Sequence, residues 1–143
     1  MKAILFGATG MIGQGVLREC LLDPRVTQVV AIGRSEVPQQ HEKLKSLVHK
    51  DLYDYSAIRE QLTGLDVCFF CLGVSSAGMS EEAYTKTTYD LTVAAAKALL
   101  EASPQIRMLF ISGAGTDSTE KKGAMWARVK GRAENALLGM PFK

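Results

Sequence analysis

Five short apolar runs alternate along the chain with segments whose apolar residues recur at helical spacing. The runs cover residues 3–6, 28–32, 44–48, 66–72 and 106–112. Most of them are continuously apolar, which is typical of strands buried on both faces of a parallel sheet. The pattern therefore predicts an α/β domain.

Helical spacing is clear directly after the first run. Ile12, Val16 and Cys20 fall on one stripe, with Leu17 and Leu21 beside it. Such a stripe is what a helix needs in order to cover one face of a sheet. We therefore predict that the first strand leads into a helix packed on the sheet.

A longer helix is predicted to begin after Ser80. A serine suits the N-cap position, and Glu81 and Glu82 follow in the first turn, where the helix dipole favours negative charge. This helix continues to about residue 102. A last helix is predicted over about 123–138, because a glycine and a proline follow it.

The order of these elements predicts a Rossmann-like, doubly wound parallel sheet. Right-handed crossovers put the five strands in the order 3-2-1-4-5, with helices on both faces. No repeat or linker interrupts residues 1–143, so we expect a single domain. Its edge strand and uncovered helix faces favour a homo-oligomer.

A glycine motif, Gly-Ala-Thr-Gly-Met-Ile-Gly at 7–13, connects the first run to the first helix. In that context the first glycine closes a tight turn, the second lets the backbone approach a pyrophosphate, and the third lets the helix lie close to the strand. The alternative is a glycine-rich turn that binds nothing. The predicted dinucleotide pocket contains Gly7, Thr9, Gly10, Met11, Ile12 and Gly13.

Composition narrows the class of partner. The chain has 143 residues, 47% of them hydrophobic and 22% charged, with a net charge of +2. This balance does not favour nucleic-acid binding, so we expect a small anionic partner. The apolar stretch before Gly7 is too short for a secretory leader or a membrane span, and we therefore predict a cytoplasmic protein.

Three cysteines, Cys20, Cys68 and Cys71, lie in segments predicted to be buried. An odd number of buried cysteines indicates reduced thiols. Cys68 and Cys71 have the spacing of a metal or redox pair, but residues three apart in a strand point to opposite faces. We interpret them as small core side chains and predict no metal site.

Several further positions match one known family. Asp51-Leu52 follows the third run, Cys71-Leu72-Gly73 the fourth and Ser112 the fifth, and Lys130 lies in the last helix. With the glycine motif, they make the whole chain resemble the short-chain dehydrogenase/reductase superfamily. It is most similar to extended and atypical members, such as the epimerase/dehydratase-like, NmrA-like and Tat-interacting-protein-like groups. Residues 126–131, Trp-Ala-Arg-Val-Lys-Gly, are similar to the Tyr-x-x-x-Lys-Gly pattern of the atypical branch.

The resemblance implies a pyridine dinucleotide cofactor and a position that selects it. In the family, an acidic residue after the second strand binds the ribose of NAD, whereas a cation there accommodates the 2′-phosphate of NADP. This chain has Arg34-Ser35 at that position and Glu36 one step further on. NADP is therefore the expected cofactor, with NAD as the alternative. Arg34 is equally compatible with a solvated loop charge.

By the same resemblance, Asp51 and Leu52 border the adenine, and Leu72 and Gly73 border the ribose on the nicotinamide side. Asp51 has an ordinary alternative role as a turn residue. The alternative role of Gly73 is to give the backbone conformational freedom.

The resemblance also implies three residues at the catalytic end. Ser112 would orient a substrate oxygen, and Lys130 would hold the nicotinamide ribose. Trp126 replaces the catalytic tyrosine, and its indole N–H does not ionise at accessible pH. By position alone, Ser112 is equally a turn hydroxyl and Lys130 a solvated cation.

Other proton donors are few. Tyr84 and Tyr89 lie in the long helix, where core packing is the expected role of Tyr84. His41 and His49 lie toward the adenine side and are poorly placed for catalysis.

The sequence thus supports an NADP-preferring oxidoreductase or epimerase-like protein acting on a small-molecule substrate. If it is active, its proton comes from a group other than residue 126. The alternative is a non-catalytic dinucleotide-binding sensor or scaffold. A third interpretation is the nucleotide-binding part of a longer enzyme, because the usual C-terminal substrate region is missing after residue 143.

Overall fold

One parallel sheet of five strands forms the centre of the molecule. The structure is a computed structural model that describes residues 1–143. The strands are β1 (Lys2–Phe6), β2 (Gln28–Gly33), β3 (Leu44–Val48), β4 (Val67–Phe70) and β5 (Arg107–Phe110). They are ordered β3-β2-β1-β4-β5, and every neighbouring pair is parallel. The predicted α/β, Rossmann-like fold and strand order are confirmed.

Helices connect the strands and cover the sheet. They are α1 (Met11–Leu22), a 3₁₀ segment (Ser56–Leu62), α2 (Glu81–Thr85), α3 (Leu91–Ala102) and α4 (Met125–Leu138). The Ser80 hydroxyl accepts the N–H of Ala83, which confirms the predicted cap. A π-helical turn, Lys86–Asp90, joins α2 to α3, so the long helix is continuous but contains a turn that the sequence analysis did not predict.

The two faces of the sheet bury different sets of side chains. One face packs against α3 and the 3₁₀ segment through residues such as Ile4, Phe6, Cys68 and Phe70. The other packs against α1 through Ala3, Leu5, Val29 and Ala31, with Cys71 at its margin. Cys68 and Cys71 therefore lie on opposite faces, as predicted, and all three cysteines are free thiols. Burial raises the pKa of the Cys68 thiol.

Helix α1 faces the sheet through Gly13, Leu17 and Cys20. The prediction that Ile12 belongs to this buried stripe is wrong, because Ile12 is 47% exposed. The reason is the close approach at Gly13, where a Cβ would lie 1.8 Å from the carbonyl oxygen of Gly7. Because of that contact, the side of α1 with residues 13, 17 and 20 faces the sheet, and Ile12 lies at the edge of the interface.

Strand β5 forms one edge of the sheet. Leu109 on this strand is 48% exposed. At its beginning, the Ile106 carbonyl accepts the N–H of Lys143 at 3.2 Å. None of the helices is both long enough and apolar enough to cross a membrane.

Candidate dinucleotide site

The glycine loop lies where β1 ends, beside the end of β4. Gly7 has a φ of +80°, a conformation that other residues rarely adopt. A Cβ at Gly7 would also lie 2.8 Å from the backbone of Cys71 and Leu72. The loop therefore requires glycine at this position for both its conformation and its packing.

The first turn of α1 presents free backbone amides. Gly10 is the N-cap residue and supplies no capping side chain, and no acidic residue lies in the first turn. The N–H of Gly10 donates to Gly7, whereas the amides of Met11, Ile12 and Gly13 have no backbone acceptor. A helix start of this kind attracts phosphate oxygens. These free amides, with no acidic side chain in the first turn, fit a diphosphate.

A cavity of about 140 Å³ opens beside this loop. Its lining residues are Gly7, Ala8, Thr9, Ile32, Gly33, Arg34, Ser35, Val37, Leu52 and Leu72. The cavity thus brings together six of the predicted cofactor residues from the ends of four strands. A larger cavity of about 250 Å³ lies between the 3₁₀ segment and α3, and no glycine-loop residue lines it.

The lining includes Val37, which the sequence analysis missed. Its N–H donates to the hydroxyl of Ser46 on β3 at 3.1 Å, so the loop after β2 is folded back toward the sheet. A single apolar residue in an otherwise polar loop was the available signal. Gln14 was also missed, and its side-chain amide braces the glycine loop by donating to Thr9 O at 2.7 Å.

Arg34 lies on the rim of the cavity, next to Ser35. It is exposed and takes part in none of the five ion pairs of the structure. Its guanidinium group therefore has its hydrogen-bond donors free for an anion.

Asp51 and Gly73 do not line the cavity. The Asp51 carboxylate accepts the N–H of Tyr53 at 3.0 Å, which is the turn role left open by the sequence. No non-neighbouring atom lies within 4 Å of a Cβ placed on Gly73. Leu52 and Leu72, their neighbours, are the residues that reach the cavity.

Two hydroxyl groups meet where β5 ends. The oxygen of Ser112 lies 3.1 Å from the hydroxyl oxygen of Thr116, and the Thr116 hydroxyl donates to the carbonyl of Gly113 at 2.7 Å. Sequence reasoning missed Thr116. The four-residue spacing after Ser112 in a glycine-rich turn was the only signal for it.

Trp126 and Lys130 reach the same end of β5 from α4. The indole of Trp126 packs on the glycine turn, with its Cζ3 atom 3.0 Å from the place of a Cβ on Gly113. The Lys130 ammonium donates to the carbonyl of Ile111 at 3.3 Å and lies 5.2 Å from the centre of the Phe110 ring. Burial lowers the pKa of Lys130, and the nearby Glu134 opposes this effect. Ser112, Trp126 and Lys130 thus lie around one strand end.

The other titratable candidates are held elsewhere. Tyr84 is 2% exposed, which agrees with its expected core role. The ring of Tyr89 lies 4.4 Å from the guanidinium carbon of Arg132. His49 is bound through its ring nitrogen to the carbonyl of Asp54 at 2.6 Å, and a ring nitrogen of His41 accepts the N–H of Lys43.

Two fungal proteins are among the curated relatives of the chain. "Protein fmp52, mitochondrial" from Emericella nidulans is 31% identical over 97% of the chain, and "Protein FMP52, mitochondrial" from Saccharomyces cerevisiae is 30% identical over 100% of it. The chain spans 61% and 62% of the lengths of these two relatives.

These names correct one prediction. The relatives are named as mitochondrial proteins, so the expectation of a cytoplasmic location is wrong. The short apolar stretch before Gly7 argued only against a secretory leader and a membrane span, and neither argument bears on the mitochondrion.

The fold matches solved structures of longer enzymes. Uronate dehydrogenase from Agrobacterium tumefaciens aligns with a TM-score of 0.71 and 21% identity over 94% of this chain and 53% of its own. The oxidoreductase ylbE from Lactococcus lactis aligns with a TM-score of 0.74 and 21% identity over 97% of this chain and 64% of its own. These matches confirm the Rossmann-like α/β fold.

A family profile assigns the chain to a family. The profile described as NAD(P)H-binding matches residues 7–137, from the first glycine of the loop to the last turn of α4. The chain is an NAD(P)H-binding domain and belongs to the family that this profile describes.

Proposed function

We propose that the chain binds NADP in preference to NAD and belongs to an oxidoreductase or epimerase-like enzyme acting on a small carbonyl or alcohol substrate. The observation that carries the cofactor preference is the unpaired Arg34 at the rim of the glycine-loop cavity. Family membership supports binding of a pyridine dinucleotide, and Arg34 supports the preference for NADP over NAD.

The argument from Arg34 is electrostatic. NADP differs from NAD by a phosphate on the 2′-oxygen of the adenosine ribose, and that phosphate needs a cationic partner. Arg34 lines the cavity together with Ser35 and has no carboxylate partner in the protein. A guanidinium group binds phosphate through two parallel N–H donors, and the Ser35 hydroxyl adds a third.

The remaining residues have separate roles in binding. The amides of Met11, Ile12 and Gly13 would hold the diphosphate, while Leu52 packs against the adenine and Leu72 against the ribose. When bound, the cofactor supplies hydride chemistry at its nicotinamide ring. Ser112 and Lys130 lie together at the end of β5, where the family places the nicotinamide end, so they would face the reacting part of the substrate.

Calorimetric titration of the whole chain with NADPH and with NADH tests the cofactor assignment. We expect tighter binding of NADPH. In Arg34→Ala, the Kd for NADPH should rise about 10- to 100-fold, since a charge-assisted hydrogen bond contributes about 1.5–3 kcal/mol. The Kd for NADH should stay within about twofold.

Arg18→Ala is the matched control. Arg18 is an exposed arginine on α1 that pairs only with its neighbour Glu19. This variant should bind both cofactors as the unmodified chain does. An equal loss of NADPH and NADH affinity in Arg34→Ala would reject the phosphate-binding role, and no heat with either cofactor would reject the pocket itself.

A non-catalytic dinucleotide sensor is the second candidate, and Trp126 favours it. The indole occupies the position of the family's tyrosine and packs on Gly113. Mixing the chain with NADPH and a panel of small aldehydes and ketones separates the two functions. Cofactor oxidation supports the enzyme, whereas binding without oxidation across the panel supports the sensor.

A further inference from the structure

The catalytic end of the site contains few groups that can release a proton. Trp126 does not ionise, and the buried Tyr84 belongs to the core. Tyr89 packs its ring against Arg132, and the Tyr53 hydroxyl donates to the carbonyl of Lys86. These contacts leave the hydroxyls of Ser112 and Thr116 and the ammonium of Lys130.

The two hydroxyls already use their protons. Thr116 has one hydroxyl proton, and it points at the carbonyl of Gly113 over 2.7 Å. In the 3.1 Å contact between the two oxygens, Ser112 must therefore be the donor. The Ser112 oxygen faces the site only as an acceptor, so this serine cannot deliver a proton to a substrate without breaking the chain of hydrogen bonds.

The Lys130 ammonium has N–H donors that take part in no hydrogen bond. Its side chain crosses from α4 to β5, where one N–H donates to the Ile111 carbonyl at 3.3 Å. An ammonium group has three donors, and no other hydrogen bond from this one is present in the structure. The carbonyl of Ile111, directly before Ser112, thus holds the ammonium at the strand end where the candidate catalytic residues meet.

The surroundings of this ammonium favour release of a proton. The Phe110 ring lies on one side of it, and partial burial lowers the pKa of Lys130. Glu134, one turn further along α4, is the charged group whose field reaches it and raises the pKa. At the end of β5 the ammonium contacts the Phe110 ring and the Ile111 carbonyl.

We propose that Lys130 is the proton donor of a carbonyl reduction carried out at this site. This inference rests on the proposed oxidoreductase function. When bound, NADPH would supply a hydride for the carbonyl carbon and be left as NADP⁺, while the π electron pair of the C=O bond would move to the oxygen. That oxygen takes a proton from the Lys130 ammonium, which gives an alcohol and a neutral amine. The amine then regains a proton from water.

Two substitutions and one control test the assignment. Lys130→Arg keeps a cation that does not release its proton, and Lys130→Met removes the charge. Lys97→Met changes an exposed lysine on α3 and serves as control. The probes are NADPH with 4-nitrobenzaldehyde, acetophenone and 2,3-butanedione. In Lys130→Arg we expect kcat to fall at least 100-fold, in line with general acid catalysis, and the Kd for NADPH to stay within threefold.

A titration that does not depend on activity and a rescue variant provide two further tests. In the chain with ¹³C-methylated lysines, the NMR signal that is missing from Lys130→Arg should titrate at a lower pH than the signals of the exposed lysines. Adding Trp126→Tyr to Lys130→Arg supplies a different ionisable hydroxyl one turn away. This double variant should regain at least tenfold of the lost kcat.

The outcomes separate the two proposals. Full turnover in Lys130→Arg, or a Lys130 signal that titrates with the other lysines, overturns the proton assignment and leaves the oxidoreductase standing. Parallel loss of NADPH affinity and kcat also overturns it, because Lys130 would then only bind the cofactor. A chain that binds NADPH but reduces none of the three carbonyls overturns the proposed reaction together with the assignment.

Discussion

Ser103, just after α3, donates its hydroxyl proton to the carbonyl of Leu62 at the end of the 3₁₀ segment over 2.5 Å. The same oxygen accepts the N–H of Leu65 at 3.0 Å. Ser103 is 4% exposed, so both partners would be cut off from water without it. One buried hydroxyl thus links the end of the long helix to the segment that leads into β4.

Ser103→Ala should therefore destabilise the fold. Leaving a buried carbonyl and a buried N–H unpaired costs about 1–3 kcal/mol in the free energy of unfolding. Urea denaturation followed by circular dichroism measures this. Ser75→Ala, at an exposed serine, is the control and should change the free energy by less than about 0.5 kcal/mol. An unchanged midpoint in Ser103→Ala would contradict the linking role.

Two glycines in α1 should respond oppositely to alanine. At Gly13 a Cβ would lie 1.8 Å from Gly7 O, whereas at Gly15 nothing lies within 4 Å. Gly13→Ala should cost about 1–3 kcal/mol of stability through overpacking and should weaken NADPH binding. Gly15→Ala should add about 0.5–1 kcal/mol, because alanine favours the helix. Thermal denaturation and calorimetry would show both effects, and a neutral Gly13→Ala would contradict the close approach.

Two nearby tyrosines make another matched pair. The Tyr55 hydroxyl is buried without a hydrogen-bond partner, and burial raises its pKa. Tyr55→Phe should raise stability by about 1 kcal/mol, because it removes an unpaired polar group. Tyr53→Phe removes the 3.0 Å bond to Lys86 O and should lower stability by about 0.5–1 kcal/mol. Chemical denaturation of both variants checks the signs. A loss in Tyr55→Phe would reveal a partner for its hydroxyl.

Asp117 should make the turn before α4 sensitive to acid. Its carboxylate accepts bonds from Thr119, Lys122 and Lys121, and these bonds lower its pKa to about 2. Since the folded pKa lies below the unfolded one, the stabilisation is present at neutral pH and is lost as the pH falls from about 4 toward 2.

Asp117→Asn should make the free energy of unfolding less dependent on pH in this acid range. Urea midpoints measured between pH 7 and the acid range would show it, and proteolysis of residues 113–123 would report the loosened turn. Glu82→Gln, at an exposed carboxylate of α2, should retain the original profile. An identical profile in Asp117→Asn would argue against the turn's dependence on this carboxylate.

Local sequence rules predicted the sheet and the glycine loop well, because each depends on residues close together in the chain. Gly7 has the turn conformation and Gly13 the close backbone contact that the motif predicts, and the continuous apolar runs identify the central strands. The π-helical turn at Lys86–Asp90 was missed, since one additional residue in a turn hardly disturbs the apolar spacing of a long helix. The exposure of Ile12 was missed because it depends on contact between Gly13 and Gly7.

In the candidate site, too, the sequence predicted some residues and missed others that depend on tertiary contacts. The family resemblance predicted Arg34, Leu52 and Leu72, and all three line the cavity beside the glycine loop. Thr116 was missed because its importance comes from the hydrogen bond between its hydroxyl and that of Ser112, which depends on how the turn folds. The predicted location was wrong because the short apolar stretch before Gly7 argued only against a secretory leader and a membrane span.

Trp126 is the sole tryptophan of the chain, and its ring rests on the turn at Gly113 and Gly115. Tryptophan emission of the unlabelled protein therefore originates from one point, beside the turn that follows β5. Any molecule that displaces that turn should change the wavelength or intensity of this emission. Ligands can therefore be screened by intrinsic fluorescence, without attaching a dye.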